Sequence, residues 1–272
     1  MLKRLYRAWL QHVLLRSRIP YPLWRDSIAS APVLLSLDHE EQHRLRRLAS
    51  LFLHEKTITG AGGLSVDSSM RVYIAAQACL LILNLDLDYF HGWSEIIVYP
   101  DTFVVSREEY DSSGVVHETR RALAGEAWRR GPVILSWSDA RAGASPHGPA
   151  SNVILHELAH KLDMLNGAAN GMPPLHHGMV REEWTTALSQ AYESLYHQVE
   201  RHHHTAIDPY AAGSPAEFFA VLTEVFFQQP GRLNHLYPDV YQQLRLFYRQ
   251  DPLARISRQA AVVPHNKPES FM

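Results

Sequence analysis

Apolar residues in the first part of the chain recur at helical spacing, with polar residues between them. Residues 1–19 have this pattern and predict an amphipathic helix. A second helix is predicted to begin after Asp38, because Asp38 and Glu41 match a capping box and an apolar face follows to about residue 55. Residues 70–85 are apolar on most sides, which is typical of a helix buried in a core. We therefore expect a helical region over residues 1–90.

After Gly92 the pattern changes to short runs of β-branched and aromatic residues. Residues 96–99 and 103–105 predict two strands joined by a turn at Pro100-Asp101, and residues 133–137 predict another strand. A strand beside a cleft can accept an extended peptide as one more strand, although residues 133–137 could equally form an internal strand. Helical spacing returns at residues 181–201, 210–228 and 237–248. The pattern favours a mostly helical protein with a few strands.

The sequence His156-Glu157-Leu158-Ala159-His160 predicts a metal site on a helix. With about 3.6 residues per turn, the two histidines lie one turn apart on the same face, where both imidazoles can bind one metal ion. Glu157 then lies beside the metal, where a general base is needed. Leucines form an apolar stripe on the other side of the helix, at positions 155, 158, 162 and 165. This arrangement favours a metal site over a surface helix with two incidental histidines.

Zinc at a hydrolytic site commonly takes three protein ligands, so the two histidines need a third partner. The candidates are Asp163, Glu217, Glu224 and one of the other histidines. Asp163 lies one turn past His160, which favours a hydrogen bond to an imidazole over coordination. Ser214 and Glu217 match a capping box, in which the Glu217 carboxylate would bond back to the Ser214 amide. On these grounds Glu217 and Glu224 are about equally good candidates.

Composition and charge disfavour several classes of function for this protein. The formal net charge is −2 over 272 residues, with both signs interspersed, which disfavours direct nucleic-acid binding and a polybasic membrane anchor. The longest apolar stretch, residues 72–87, contains polar residues and is too short to span a bilayer. Cys79 is the only cysteine and lies in this stretch, which fits a buried residue in a reducing compartment. Residues 1–19 do not resemble a signal peptide, so we expect a cytoplasmic protein.

Motifs at several separate points resemble the Mlc titration factor A family of bacterial metallopeptidases and, more distantly, the catalytic domain of anthrax lethal factor. Besides the HExxH motif at residues 156–160, they lie at residues 97–100, 131–133, 208–212, 215–220 and 247–252. The resemblance implies a zincin-like α+β fold, with a small twisted sheet beside the HExxH helix and a second ligand-bearing helix. It also implies a gluzincin-type peptidase with one Zn²⁺ per chain, held by His156, His160 and Glu217. Glu157 would be the general base and Tyr210 a hydrogen-bond donor to the transition state.

The resemblance carries further expectations. His117 matches a family histidine that can contact the zinc; as a fourth ligand it would describe a resting enzyme in which a loop must move before catalysis. A loop histidine that faces solvent is equally compatible. The family sequesters the transcriptional repressor Mlc from DNA, so we expect this partner, and an effect on expression of the glucose phosphotransferase system, beside peptide substrates. Family activity on small substrates favours an aminopeptidase. The alternative is a regulatory binding module with secondary or latent peptidase activity.

These expectations divide the chain into three parts. The helical residues 1–90 pack on a zincin-like catalytic region at residues 91–255, where the loops at residues 140–150 and 167–178 shape the cleft. Residues 256–272 are polar and without pattern, which predicts a loose C-terminal tail.

Overall fold

The computed structural model describes residues 14, 16–101, 131–143 and 151–258 with their side chains, and the backbone of residues 103–110, 116–123, 125–127 and 259–262. The helices are α1 (Tyr21–Ile28), α2 (Pro32–Leu35), α3 (His39–Glu55), α4 (Ser68–Leu81), α5 (Trp137–Ala142), α6 (Val153–Asp163), α7 (Arg181–Glu200), α8 (Pro215–Gln228), α9 (Pro230–Leu236), α10 (Pro238–Tyr248) and α11 (Pro252–Val262). The strands are β1 (Thr57–Gly60), β2 (Glu95–Tyr99), β3 (Phe103–Tyr110), β4 (Val116–Leu123), β5 (Gly125–Ala127) and β6 (Val133–Ser136). Short 3₁₀ helices span Leu87–Phe90, Met164–Asn166 and Pro209–Gly213. The fold is α+β and mostly helical, as predicted.

Four strands form one small sheet in the order β1-β2-β6-β5. The first three are parallel, and β5 runs antiparallel to β6 at the edge. Every second side chain of the two central strands is buried, as expected for a strand with one face on the core; these residues include Ile96, Val98, Val133 and Leu135. Because β6 has a neighbour on each side, the strand predicted at residues 133–137 is internal, and the edge next to it is occupied by β5. Trp137, its last predicted residue, begins α5 instead.

A second, two-stranded sheet pairs β3 with β4 in antiparallel register. The strand predicted at residues 103–105 is confirmed as the start of β3, and the turn at Pro100-Asp101 therefore joins strands of different sheets. Sequence patterning missed β4, because polar residues occupy most of its positions and leave no alternation of apolar and polar side chains.

Helix α4 connects the N-terminal helices to the rest of the protein. It begins at Asp67, whose carboxylate accepts a hydrogen bond from the Met70 amide at 2.8 Å. Residues 74–81 are completely buried, and the helix packs against α1, α3 and α6. The predicted core helix is confirmed, although it ends at Leu81 and not near residue 85. Cys79 is buried within it, and burial raises the pKa of this thiol well above its ordinary value.

The C-terminal helix α11 is tied back to α3. The predicted capping box is present: the Glu41 amide donates to Asp38 Oδ1 at 2.9 Å, and the Asp38 amide donates to Glu41 Oε2 at 3.0 Å. Arg255 Nη2 also donates to Glu41 Oε1, at 2.7 Å. The predicted start of a loose tail at residue 256 therefore falls inside a helix, which continues to Val262.

Several predictions fall outside the described residues. They concern most of the first predicted helix (residues 1–13), the loop at residues 144–150 and the tail at residues 263–272. Among the residues that are described, every helix is too short or too polar to cross a lipid bilayer.

Candidate metal centre

The HExxH helix α6 is fixed by its buried leucines. Leu155, Leu158 and Leu162 are completely buried, which confirms the predicted stripe, and Leu165 packs against the core from the 3₁₀ turn that follows. The helix begins at Asn152, whose side-chain oxygen accepts a hydrogen bond from the Leu155 amide at 3.1 Å. It lies against β5 and β6 on one side and α8 on another. The same packing turns His156 and His160 toward α8.

Helix α8 brings Glu217 to the two histidines from its first turn. Ser214 caps this helix, because its hydroxyl accepts a hydrogen bond from the Glu217 amide at 3.2 Å, and Pro215 occupies the first helical position. Only half of the expected capping box forms, since the Glu217 carboxylate is turned to the imidazoles. The capping residue therefore holds the Glu217 backbone in place while the carboxylate faces the cleft.

Three ligand-type atoms converge between α6 and α8. Glu217 Oε2 lies 3.0 Å from His156 Nε2 and 3.4 Å from His160 Nε2, and the two histidine nitrogens are 3.2 Å apart. Two atoms bound tetrahedrally to one zinc ion, at about 2.0–2.1 Å each, lie about 3.4 Å apart. Two imidazoles and one carboxylate are also a common donor set for zinc. The residues present therefore fit one zinc ion, and among the described residues they form a group of three side chains with the spacing to hold a metal ion.

Glu224 contacts the imidazole nitrogen of His156 that faces away from Glu217. Its Oε1 lies 2.7 Å from His156 Nδ1, and its Oε2 accepts a hydrogen bond from the Asn152 amide at the start of α6. Asn152 in turn donates through its side-chain nitrogen to Gln77 Oε1 of α4, at 2.6 Å. A carboxylate at Nδ1 leaves Nε2 of the same imidazole facing Glu217 and free to bind a metal. The two glutamates, which were equally good candidates from the sequence, therefore contact different nitrogens of His156: Glu217 lies at Nε2 and Glu224 at Nδ1.

The carboxylates also set the charge of His156. Burial alone would lower the pKa of His156, but its hydrogen bonds to Glu217 and Glu224 raise that pKa well above its ordinary value. Burial would raise the pKa of Glu217, yet its hydrogen bonds with His156 and His160 lower it far below the ordinary range. The metal-free site therefore favours an imidazolium beside an ionised carboxylate. A bound cation would take the place of the proton at this position.

Glu157 is buried beside the three candidate metal ligands. Only 4% of its surface is exposed, and Oε2 has no hydrogen-bond partner within the described part of the chain. Burial raises the pKa of Glu157 to about 7, against the opposing charges of His156 and His160. A carboxyl group with a pKa near neutrality can both accept and return a proton at physiological pH.

Tyr210 lies at the open side of the cluster. It belongs to the 3₁₀ helix Pro209–Gly213, where the Asp208 carboxylate accepts a hydrogen bond from the Tyr210 amide at 2.9 Å. The residue is 54% exposed, and its ring centre lies 6.0 Å from that of His156. Tyr192 fixes the same turn, because its hydroxyl donates to the Ala212 carbonyl at 3.1 Å. A rigid turn therefore presents a solvent-facing phenol beside the candidate metal position.

Asp163 anchors a loop and not an imidazole. Its Oδ2 accepts hydrogen bonds from the amides of Asn170 and Gly171, at 2.8 and 2.7 Å, which differs from the sequence expectation of a bond to a histidine ring. The Gly171 carbonyl accepts from Trp184 Nε1 at 3.1 Å. Gly171 adopts a positive φ of +77°, and a Cβ atom there would come within 2.6 Å of the Pro215 carbonyl oxygen. Gly171 thus lies between the end of α6 and the start of α8.

His117 lies in β4, where its backbone pairs with Glu109 of β3. Its side chain lies outside the described part of the structure, so a role as a fourth ligand stays a prediction.

Sequence reasoning missed how Glu224 and Gly171 support the site. Glu224 follows Glu217 by seven residues and so lies on the same face of α8, which suggested a metal ligand but not a partner for the outer nitrogen of His156. For Gly171 the only signal was its place in a loop rich in glycine and proline. Its contact with Pro215 is long-range and has no local sequence pattern.

Comparison with known proteins relates this chain to one family of metallopeptidases. Residues 6–249 match a family described as glucose-regulated metallo-peptidase M90. A protein of Escherichia fergusonii named Mlc titration factor A is 40% identical over 240 residues, which cover 86% of this chain and 88% of that protein. Proteins of the same name from Serratia proteamaculans and Yersinia enterocolitica are 39% and 37% identical, over 240 and 238 residues and 86% of this chain in each case. Their alignments cover 89% and 88% of those two proteins.

Replacing Glu224 with glutamine tests its support of His156. The side chain keeps its size but loses the charge at His156 Nδ1, so we expect the zinc dissociation constant to rise about 10- to 100-fold. Competition with a fluorescent zinc chelator measures this change. Glu193→Gln, an exposed charge on α7, is the matched control and should bind zinc as the wild type does. A wild-type dissociation constant for Glu224→Gln would show that the hydrogen bond does not support metal binding.

Gly171→Ala tests the contact between the loop and α8. The added methyl group meets the Pro215 carbonyl, so α8 must shift, and we expect weaker zinc binding as well as a lower melting temperature. Gly178→Ala is the control, because Gly178 also has a positive φ, of +102°, but its Cβ would meet nothing within 4 Å. The control should lose some stability through backbone strain and keep its zinc affinity. Equal zinc affinities in the two variants would contradict this role of Gly171.

Proposed function

This chain belongs to the glucose-regulated metallopeptidase M90 family, and we propose that it is a zinc-dependent peptidase with one Zn²⁺ per chain. The observation that carries the proposal is the convergence of His156, His160 and Glu217 within 4.8 Å of one another. Their two nitrogens and one oxygen lie at mutual distances that suit tetrahedral zinc. Because they converge on a single point, one ion per chain is expected.

Each residue of the site then has a distinct task. His156, His160 and Glu217 would hold the zinc, and Glu224 would orient His156 through Nδ1. When bound, zinc supplies Lewis acidity toward the scissile carbonyl and toward the attacking water. Three protein ligands leave room for these groups.

Glu157 is the proposed general base. It follows His156 on the same helix, is shielded from solvent, and has an oxygen without a hydrogen-bond partner among the described residues. It would take the proton of the attacking water and pass it to the leaving amine. Without a bound ion, burial raises the pKa of this carboxyl group to about 7, which favours its acceptance of a proton.

Tyr210 is the proposed donor to the developing oxyanion. Its hydroxyl group lies on an exposed ring next to His156, and its backbone is fixed by Asp208. A donor that is already in place stabilises negative charge without a costly rearrangement. His117 is kept as a proposed fourth ligand of a resting state, and its support is the family resemblance alone.

The substrate is proposed to be a peptide with a free N-terminus. This choice of an aminopeptidase over an endopeptidase rests on the resemblance described above.

A second function, binding of the transcriptional repressor Mlc, is supported by the relatives named Mlc titration factor A. Their similarity extends over 86% of this chain, so most of a shared binding surface would be present. Titration of the repressor would then modulate expression of the glucose phosphotransferase system. It would also place the protein in the cytoplasm, where such a repressor acts. A peptidase that is secondary to this regulatory role is the alternative.

Glu157→Gln separates metal binding from hydrolysis. The variant keeps all three zinc ligands, so we expect wild-type zinc content and a loss of peptide hydrolysis of at least about 100-fold. Metal analysis and digestion of a peptide library measure the two effects. Glu193→Gln serves as the control and should cut at the wild-type rate.

The same digestion tests the substrate class, since an aminopeptidase should spare library members whose N-terminus is acetylated. Hydrolysis by Glu157→Gln at the wild-type rate would refute the role of Glu157. Absence of zinc from the purified wild type would refute the zinc proposal itself.

Repressor binding is expected to be independent of the catalytic residues. In a pull-down with purified Mlc, we expect the wild type, Glu157→Gln and His156→Ala to retain equal amounts, because both substituted side chains are largely shielded inside the site. Loss of binding with His156→Ala alone would place the interaction at the metal site. No retention of Mlc by the wild type would reject the second function without affecting the first.

A further inference from the structure

One amide side chain lies inside the apolar core helix α4. Residues 74–81 of this helix are completely buried, and Gln77 is the one amide among them; the others are aliphatic residues, alanines and a cysteine. Removing an amide from water costs free energy unless hydrogen bonds inside the protein replace those made with water. The Gln77 nitrogen lies beside the Tyr73 hydroxyl of the same helix. Its oxygen is bonded to a different element of the fold.

The orientation of the Gln77 amide is set by the start of α6. Asn152, which is also completely buried, donates through Nδ2 to Gln77 Oε1 at 2.6 Å. The Asn152 side-chain oxygen accepts a hydrogen bond from the Leu155 amide at 3.1 Å. Because this backbone amide needs an acceptor, the Asn152 oxygen faces Leu155 and its nitrogen faces Gln77. Position 77 therefore has to supply an acceptor, which an apolar side chain cannot do.

The same asparagine is linked to a candidate metal ligand. Its backbone amide donates to Glu224 Oε2, and Glu224 Oε1 lies 2.7 Å from His156 Nδ1. Gln77, Asn152, Glu224 and His156 thus form one continuous chain of hydrogen bonds. The first two residues have no exposed surface and Glu224 has 4%, and hydrogen bonds in such surroundings are electrostatically stronger than in water.

This chain makes the position of Asn152 depend on Gln77. Without an acceptor at position 77, the buried Asn152 Nδ2 has no other hydrogen-bond partner within the described part of the chain. A buried donor without a partner is costly, so the start of α6 would shift to satisfy it. Such a shift moves the Asn152 backbone amide, and with it the Glu224 carboxylate that orients His156.

We propose that Gln77 is a positioning residue of the metal centre, which holds His156 in its zinc-binding orientation through Asn152 and Glu224. This role rests on the proposed zinc site and extends the support of that site from α6 and α8 to the core helix α4. Gln77 acts through other residues, so its replacement changes zinc affinity and ligand geometry without removing a ligand.

Two replacements of Gln77 separate positioning from packing. Gln77→Met keeps the size but removes the acceptor, so we expect the zinc dissociation constant to rise about three- to tenfold, less than for a direct partner of a ligand. Gln77→Glu keeps an acceptor oxygen of the same reach, and in an apolar core its carboxyl group stays protonated. Its zinc affinity should therefore match that of the wild type.

Competition with a fluorescent zinc chelator measures these constants. Packing in an apolar core favours methionine over glutamic acid, so weaker zinc binding by Gln77→Glu than by Gln77→Met would overturn the proposal. Equal affinities of the wild type and Gln77→Met would refute the role of Gln77 alone. A wild type that binds no zinc would refute the zinc site itself.

Asn152→Ser breaks the same hydrogen bond from the other side. Serine still caps α6 and keeps the backbone amide at Glu224, but it lacks the nitrogen that reaches Gln77. We expect the same loss of zinc affinity as in Gln77→Met, and no further loss in the double variant, because both changes remove one shared interaction. Losses that multiply in the double variant would show that the residues act independently. If Gln77→Met does not fold, wild-type zinc affinity in Asn152→Ser refutes the proposal.

A control variant distinguishes positioning from a general loss of stability. Ser50→Ala removes a buried hydroxyl of α3 that accepts a hydrogen bond from the Ile19 amide at 3.1 Å. It should lower the melting temperature and leave zinc affinity unchanged. The visible absorption of Co²⁺ bound in place of zinc reports the ligand geometry, and it should change in Gln77→Met but not in Gln77→Glu or Ser50→Ala. Equal weakening of zinc binding in Ser50→Ala and Gln77→Met would assign the effect to stability and reject positioning.

Discussion

The hydrogen bond between Glu224 and His156 is the constraint on which the site depends. Glu224 is buried on α8. Besides contacting His156, it accepts a hydrogen bond from the backbone amide of Asn152, the residue just before α6. One carboxylate therefore fixes both the start of the HExxH helix and the orientation of its first histidine. Burying a carboxylate oxygen that lacks a hydrogen bond costs free energy, so the loss of either contact would destabilise this pair of helices. This requirement holds the two helices together and turns His156 Nε2 toward Glu217.

A second contact holds the other ends of the same two helices. Asp163, the last residue of α6, binds the Gly171 amide, and Gly171 lies against Pro215 at the start of α8. The end of α6 thus meets the start of α8, while Glu224 further along α8 meets the start of α6. The two helices run antiparallel, with one contact at each end and the metal ligands between them. These two contacts keep the distances between the ligand atoms short.

The sequence predicted the parts of this site but not their assembly. The leucine stripe, the capping box at Asp38 and the core helix after Asp67 depend on residues within one or two turns, and the structure confirms each of them. The choice between Glu217 and Glu224 was left open by these local rules, because residues seven apart share a helix face. It is decided by which turn of α8 lies opposite which imidazole nitrogen. The strand β4 and the contact of Gly171 with Pro215 were missed because neither has a periodic signal in the sequence.

The charge pattern of the site explains why a cation belongs there. Glu217 and Glu224 lie on either side of His156 and raise its pKa, so the metal-free protein attracts a proton to this imidazole. A metal ligand must be neutral at the coordinating nitrogen, and metal binding therefore displaces that proton. Metal affinity thus decreases as the pH falls, because protons then compete better for His156. Without a metal ion, the buried carboxylates of the site reduce the stability of the fold; with an ion bound, their charges are compensated and they stabilise it.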